Sequence, residues 1–204
     1  MSQSQKLQSA AELLMATGVE VAHCRQVAHL AGRLFDAIRP LHRMTDDDEV
    51  LLLAAGLLHD VGVSVSYQGH HKHSQEIILH ADLAGFARRE QRIVACLARY
   101  HRKAHPSLSH SPFGELNHAD QDRVRKLAAL LRIADGLDRT HCDAVTDLTA
   151  GPTGPRTWEI RATGHTPLWE ELWAVRERKS ALFCEVFGVK LDIVRQEPPD
   201  APSG

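Results

Sequence analysis

Five titratable side chains occupy positions where the sequence predicts a buried helix face. Three of them lie four residues from one apolar residue and seven or eight from another, a spacing that places residues on the same side of a helix. The other two are adjacent in the chain and directly follow the apolar run LLLAAGLL. Burying a carboxylate without a partner costs several kcal/mol, so two carboxylates beside three imidazoles need a shared counter-charge. The five residues are His23, His59, Asp60, His101 and Asp135.

A divalent cation bound among these side chains would supply that charge. Imidazole nitrogens and carboxylate oxygens, with no thiolate, suit Mn²⁺, Fe, Co²⁺, Ni²⁺, Zn²⁺ or Mg²⁺ and do not suit a soft metal. The adjacent pair His59-Asp60 offers a nitrogen and an oxygen from one helix turn. Each residue alone has a simpler interpretation, because a single His on an apolar face is more often a hydrogen-bonded core residue. The five residues together favour a metal site.

The apolar periodicity predicts a helical bundle that positions these residues. An amphipathic pattern over 20–39 carries His23, and Pro40 is expected to end that helix. Thr45 is followed by four acidic residues, which is typical of a helix start. The other helices are predicted over 5–17, 47–61, 71–80, 88–102 and 120–139, with a loop over 103–118.

After residue 140 the pattern changes to a mixture of strands and helix. The segments 145–148 and 157–161 flank AGPTGP and predict a β-hairpin. A helix is predicted over 168–187, ended by Gly188, and a strand over 189–194. We therefore expect a mainly α protein with a small C-terminal α+β part. The predicted divisions are a helical metal-binding domain over 1–141, an α+β extension packed on it over 142–195, and a flexible tail over 196–204.

Composition and charge limit the classes of partner. The 204 residues are 43% apolar and 25% charged, ordinary proportions for a globular protein. The net charge of −2 argues against a general nucleic-acid binder. Residues 70–140, however, hold 12 Lys and Arg against 8 Asp and Glu, together with eight of the 14 histidines. This basic, imidazole-rich middle suits a small anion.

The sequence also predicts where the protein is found. No apolar run approaches the roughly 18 residues that span a bilayer, so we expect no membrane segment. The first ten residues, MSQSQKLQSA, lack a secretory apolar core. The four cysteines are scattered without a CxxC motif, as expected for reduced thiols. A cytoplasmic location is the resulting expectation.

The strings around these residues resemble the HD superfamily of metal-dependent phosphohydrolases. They are HCRQVAHLA around His23, LLHDVG around His59-Asp60 and RIADGLD around Asp135. Longer strings, among them GHHKHSQEIIL, RREQRIVACLARYHRKAHP and LWEELWAVRERKSALFCEVFGVKLDIV, resemble the C-terminal module of the exopolyphosphatase / guanosine pentaphosphate phosphohydrolase (Ppx/GppA) family. The resemblance covers about residues 18–195 and implies an HD-type helical bundle followed by a small α+β cap.

The resemblance also implies a set of metal ligands for one or two ions. Many HD proteins add two further histidines and bind a second metal, and His101 in RYHRK matches one of these. The other falls in GHHKHS, where His70 and His71 both fit and His73 fits less well. The ligands implied for the first metal are His23, His59, Asp60 and Asp135.

The chemistry implied is hydrolysis of a phosphoric ester or pyrophosphate bond. A metal lowers the pKa of bound water from about 15.7 toward 7 and polarises a phosphoryl oxygen. Asp60 and His59 are the candidate catalytic residues, with Asp60 also able to accept a proton. Arginine and lysine near these positions are candidate phosphate contacts, although each is also typical of a solvated surface, and His141 is a further candidate. The cationic candidates are Lys72, Arg102, Lys103 and Arg139.

The sequence departs from full-length Ppx/GppA proteins in one respect. Those proteins carry two actin-like ATPase-fold domains that hold their phosphatase site, and the 204 residues contain no counterpart of these domains. Any catalysis is therefore expected to come from the HD residues alone, on a nucleotide or another small phosphorylated anion. The alternative is a non-catalytic module that binds polyphosphate or guanosine tetraphosphate-like anions, with a regulatory or dimerising role. The apolar face of 168–187, with Trp169 and Trp173, is either the core of the cap or a homodimer seam.

Overall fold

The computed structural model describes residues 3–165 and 167–196, which form a helical bundle followed by a small mixed sheet with short helices. The predicted mainly α fold with a C-terminal α+β cap is confirmed. Most of the tail predicted over 196–204 lies outside the described residues. The helices are α1 Gln3–Thr17, α2 Val21–Ala37, α3 Arg39–His42, α4 Asp46–Leu58, α5 His70–His80, α6 Arg88–Tyr100, α7 His118–Leu137, α8 Trp169–Ala174 and α9 Ala181–Phe187. The strands are β1 Val145–Gly154, β2 Thr157–Gly164 and β3 Lys190–Arg195.

Helix α4 is the centre of the bundle. It packs against α1, α2, α6 and α7, as its nearly all-round apolar sequence predicts. Its first turn is closed by a capping box, in which the backbone N–H of Thr45 donates to Asp48 Oδ2 at 2.9 Å. The helix ends at Leu58, so His59 and Asp60 leave its carboxyl end in the middle of the core.

Helices α2 and α4 approach each other unusually closely. A Cβ added at Gly56 would lie 2.6 Å from the Cα of Ala28, so only glycine fits this crossing. Helix α2 ends at Ala37, and Pro40 lies in the first turn of α3, where a missing N–H costs nothing. The close crossing brings the amino half of α2, with His23, next to the end of α4.

The cap adds a three-stranded sheet with the order β1-β2-β3. Strands β1 and β2 form the predicted hairpin, paired antiparallel, and β3 pairs parallel to β2. Strand β1 packs on α2, and the helical part of the cap packs on α7. The apolar core runs without a break from the bundle into the cap, where it includes Ile160 and Phe183.

The segment predicted as one helix over 168–187 is helical over 169–187 and ends at Gly188, but it is not one regular α-helix. A π-helical turn over Val175–Lys179 separates α8 from α9, and the N–H of Ser180 donates to the carbonyl of Val175 at 3.0 Å. The wider turn changes the face that the following residues present. Trp169 and Trp173 are 63% and 43% exposed, so they do not form the core of the cap.

Within the described residues, no helix combines the length and the apolarity that crossing a membrane requires.

Candidate metal centre

Six side chains meet where the ends of four helices converge on α2. His59 and Asp60 follow the last residue of α4, His101 follows the last residue of α6, and His70 begins α5. The four histidines of the group are buried, while the side chains of Asp60 and Asp135 keep 18% and 16% of their surface exposed. We call this group the histidine–aspartate cluster; its members are His23, His59, Asp60, His70, His101 and Asp135.

Each histidine of the cluster has its Nδ1 atom engaged by an acceptor. Three of these acceptors are carbonyls three residues earlier in the chain, and the fourth is a carboxylate. Because Nδ1 donates, Nε2 is the nitrogen of each ring that can bind a metal once the ring is neutral, as in metal-binding histidines. The pairs are His59 with Gly56 O (2.8 Å), His70 with Tyr67 O (3.0 Å), His101 with Ala98 O (2.7 Å) and His23 with Asp138 Oδ2 (2.8 Å).

The free Nε2 atoms meet in two pairs. The Nε2 atoms of His23 and His59 are 3.3 Å apart, and so are those of His70 and His101. Two lone pairs facing each other repel unless a proton or a cation lies between them. Two nitrogens bound to one tetrahedral ion at about 2.0–2.1 Å would themselves be about 3.3 Å apart. The spacing therefore fits ligands of a shared ion.

Asp60 lies between the two histidine pairs. Its Oδ1 is 3.2 Å from His70 Nε2 and 3.5 Å from His101 Nε2, and its Oδ2 is 4.0 Å from His23 Nε2. This carboxylate belongs to both possible ligand groups, one with His23 and His59 and one with His70 and His101. Oδ1 is buried and accepts no hydrogen bond from the described residues. The donor atoms thus fit one or two divalent ions that share Asp60.

Asp135 is placed differently from the other acid. Its Oδ1 is 3.7 Å from His23 Nε2 and 3.9 Å from His59 Nε2, while its Oδ2 forms an ion pair with Lys179. Lys179 comes from the π-helical turn of the cap and also donates to the carbonyl of His101 at 3.3 Å. The sequence reasoning missed this lysine. The sequence did hold an indication that this lysine faces inward, because it follows Val175, a buried residue, by four residues.

Two further residues that the sequence reasoning did not assign support His23 from behind. Asp138 is fully buried and accepts from His23 Nδ1, and it follows Asp135 by three residues, a spacing that could have revealed it. His141, noted only as a phosphate candidate, stacks on His23 with ring centroids 3.7 Å apart and planes 3° from parallel. His141 Nδ1 in turn lies 2.7 Å from Glu20 Oε2. The His23 ring is therefore held on two sides.

Burial and mutual charge shift the pKa values of the cluster in opposite directions. Burial alone would lower the pKa of His23, but Asp135, Asp138 and Asp60 outweigh it and raise this pKa to about 10. Burial lowers the pKa of both His59 and His101, so these rings are neutral. Burial would raise the pKa of Asp60, yet the neighbouring histidines hold it well below its usual range. The acids of the cluster are therefore anions, with the protonated His23 and Lys179 as the cations beside them.

A cavity of about 340 Å³ opens above the cluster. Arg102 reaches the cluster as Lys179 does, with Nη1 3.2 Å from His70 Nε2. The structure brings three of the four predicted phosphate contacts to this cavity, whereas Lys72 is exposed and does not line it. The cationic residues that line the cavity are Arg102, Lys103, Arg132, Arg139, Arg178 and Lys179.

The structure also separates the alternatives in GHHKHS. His70 lies in the cluster, as given above, and lines the cavity. His71 is buried behind it, with ring centroids 6.1 Å from His70 and 6.5 Å from His101, and its Nδ1 has no hydrogen-bond partner among the described residues. His73 is half-buried and does not line the cavity. Of the three, His70 is the residue whose Nε2 faces His101 and Asp60.

Comparison with known proteins gives the same family as the sequence motifs. A family model described as Ppx/GppA phosphatase, domain III, matches residues 6–161. A guanosine-5'-triphosphate,3'-diphosphate pyrophosphatase from Pseudoalteromonas atlantica is 28% identical over 57% of this chain. The protein of the same name from Pseudoalteromonas translucida is 32% identical over 41% of this chain, and the one from Photobacterium profundum is 26% identical over 57%. The matched segments are 23%, 16% and 22% of those relatives, so the chain spans less than a quarter of their length. Because the family model covers most of the chain, including His23, His59-Asp60 and Asp135, this protein belongs to the Ppx/GppA phosphatase domain III family.

Proposed function

We propose that this protein is a metal-dependent phosphohydrolase that acts on a nucleotide or another small phosphorylated anion through the histidine–aspartate cluster. The observation that carries the proposal is the Asp60 carboxylate. It is shared by two groups of possible ligands, and one of its oxygens is buried and accepts no hydrogen bond from the residues that the structure describes. Curated relatives named guanosine-5'-triphosphate,3'-diphosphate pyrophosphatases support the substrate class, since their name gives a phosphorylated nucleotide.

The cluster divides into two proposed ion positions. His23, His59 and Asp60 would hold one ion, with Asp135 as a further ligand, and Asp60, His70 and His101 would hold a second. When bound, such ions supply the Lewis acidity that activates water and neutralises charge on phosphoryl oxygens.

The other side chains have roles in binding and proton handling. Asp60 is the proposed proton acceptor because of its position, since its carboxylate lines the cavity. Arg102 and Arg139 offer guanidinium groups to phosphate oxygens, and Lys103 adds an ammonium group. Phosphoryl transfer needs mainly such positioning and charge neutralisation. The neutral rings of His59 and His101 can act as ligands near pH 7, whereas His23, with its raised pKa, releases a proton when it binds an ion.

The test combines metal analysis with a substrate panel. The purified protein is analysed for bound divalent metal, then assayed with Mn²⁺ on guanosine tetraphosphate, guanosine pentaphosphate, nucleoside triphosphates and tripolyphosphate. Asp60→Ala and His59→Ala are expected to abolish turnover while the circular dichroism spectrum is retained. Asp82→Ala and His80→Ala, at exposed positions, are the matched controls and should keep full turnover. Equal turnover in all four variants, or a protein that takes up no divalent ion, would contradict the proposal.

A second function, anion binding without catalysis, is favoured by the ion pair between Lys179 and Asp135. That pair engages one oxygen of a proposed metal ligand, and the six cations around the cavity attract phosphates without any metal. On this reading, tripolyphosphate binds saturably with no product formed. Arg102→Ala and Lys103→Ala would weaken this binding, and Asp60→Ala would not.

A further inference from the structure

One exposed aromatic side chain stands at the mouth of the cavity. Tyr67 is 72% exposed, although large apolar and aromatic side chains are usually covered. Five other large apolar residues are similarly exposed in the described part of the chain, and none of them lines the cavity. They are Met15, Val65, Leu108, Trp169 and Trp173. Tyr67 thus combines exposure with a position at the site.

Contacts with the histidine–aspartate cluster fix the position of Tyr67. The carbonyl of Tyr67 accepts from His70 Nδ1 at 3.0 Å, so its backbone is bonded to a proposed metal ligand. The two rings have centroids 5.5 Å apart and planes inclined by 58°. Gly69, at φ +78°, turns the chain into α5 directly after this segment. The phenol ring therefore lies next to the His70 ring, on a short turn whose backbone is hydrogen-bonded to that histidine.

The cavity and its mouth differ in chemistry. The interior carries six cations and the carboxylates of Asp60 and Asp135, which suits phosphate groups and their counter-ions. The mouth offers the flat apolar face of Tyr67, for which an inorganic polyphosphate has no complementary group. A nucleobase does have a flat face and is separated from its phosphates by one sugar. Aromatic side chains bind bases by stacking whatever the base identity.

We propose that Tyr67 is a base-stacking residue and that it makes the site selective for nucleoside polyphosphates over inorganic polyphosphate. This inference rests on the proposed function only in placing the phosphates in the cavity. It does not require that the bound nucleotide be hydrolysed.

The test compares two ligands that share a triphosphate chain and differ in the base and sugar. Binding of the β,γ-imido analogue of GTP and of tripolyphosphate is measured by isothermal titration calorimetry, on EDTA-treated protein and again after Mn²⁺ loading. Tyr67→Ala is expected to weaken binding of the nucleotide analogue roughly 5- to 100-fold, the usual range for one stacked base, and to leave tripolyphosphate binding within about twofold. Tyr67→Phe keeps the ring and should bind both ligands like the unmodified protein.

Trp169→Ala is the matched control, because it removes an aromatic side chain that is exposed but outside the cavity. The stacking role is overturned if the unmodified protein binds the nucleotide analogue no more tightly than tripolyphosphate. It is also overturned if Tyr67→Ala weakens both ligands equally. Selective nucleotide binding through Tyr67 without turnover of GTP would reject the hydrolase and retain the stacking residue, so the two proposals fail separately.

Discussion

At the scale of single residues, the chemistry depends on which ring nitrogen of each histidine carries the proton. Backbone carbonyls fix this for His59, His70 and His101, since each accepts from Nδ1 three residues later in the chain. His23 lies within a helix, where the backbone carbonyls are already engaged, and it depends on Asp138 instead. The protein thus uses a charged partner at the one ring that the backbone does not orient.

Asp138→Ala should therefore weaken metal binding without removing any ligand. Losing the partner of a ligating histidine typically costs 10- to 100-fold in metal affinity, and we expect a loss of about that size. Asp138→Asn keeps an oxygen that can accept from Nδ1 and should lose less. Affinity for Zn²⁺ or Co²⁺ is measured by competition with a chromogenic chelator, with Asp82→Ala as the control. Unchanged affinity in Asp138→Ala would mean that His23 is not a ligand.

Apolar periodicity was sufficient to locate half of the cluster from the sequence. His23, His101 and Asp135 share helix faces with leucines or valines, so a polar residue on such a face was conspicuous. The choice between His70 and His71 could not be made in this way, because it depends on the first-turn geometry that Gly69 sets for α5. Lys179 was missed because it ends the charged run RERK, which also fits a solvated helix.

At the scale of secondary structure, the crossing of α2 and α4 sets the distance between His23 and His59. Gly56→Ala puts a methyl group 2.6 Å from the backbone of Ala28. Although alanine is the better helix former, we expect this clash to lower the free energy of unfolding by about 1–3 kcal/mol. In Gly32→Ala the new Cβ would meet two side chains, Leu53 at 3.1 Å and Glu49 at 3.8 Å, and both can move. Urea denaturation of both variants tests the difference. Equal stability of the two would contradict the close crossing.

The short helix α3 gives the fold a dependence on pH. His42 is buried, with Nε2 2.8 Å from the carbonyl of Phe35 and Nδ1 accepting from the N–H of Met44 at 2.9 Å. Burial lowers the pKa of His42, so the unfolded chain takes up this proton first as pH falls. Stability from His42 is therefore complete above about pH 6.5 and declines as pH falls below that value.

The variant His42→Gln should show this dependence as a difference from the unmodified protein. The loss of unfolding free energy between pH 7 and pH 5 should be smaller in the variant, by at most about 1.4 kcal/mol per pH unit, since one proton is involved. Urea denaturation at several pH values measures it, and His80→Gln, at an exposed position, is the control. Parallel stability curves for His42→Gln and the unmodified protein would show that His42 does not titrate on unfolding.

Element types were more predictable than their limits. The capping residue Thr45 and the turn residue Gly188 have strong local preferences, and both act as expected. The π-helical turn over Val175–Lys179 follows from packing of the cap on α7, which a periodicity of 3.6 residues does not report. The parallel pairing of β3 with β2 is likewise a property of the tertiary structure.

At the scale of the whole molecule, Lys179 connects the cap to the chemistry of the bundle. Lys179→Met leaves the Asp135 carboxylate without its lysine partner. Breaking a buried ion pair in this way lowers the free energy of unfolding by about 3–5 kcal/mol. We expect a smaller loss here, because the side chains of Lys179 and Asp135 keep 14% and 16% of their surface exposed. A divalent ion beside Asp135 would replace the lost charge. We expect a lower melting temperature for the metal-free variant, and a larger increase on adding Mn²⁺ than in the unmodified protein.

Lys190→Met removes an exposed lysine of the same cap and is the control for this measurement. If Mn²⁺ stabilises Lys179→Met no more than it stabilises the unmodified protein, then Asp135 does not face a metal. The cap would in that case contribute only packing.

The central claim is that histidines and aspartates from separate helices bind cations around Asp60. Anomalous diffraction from crystals of the Mn²⁺-loaded protein, recorded at the manganese edge, tests it most directly. We expect two anomalous peaks on opposite sides of the Asp60 carboxylate, one beside the Nε2 atoms of His23 and His59 and the other beside those of His70 and His101. Saturating Mn²⁺ with no peak within bonding distance of Asp60 would contradict it.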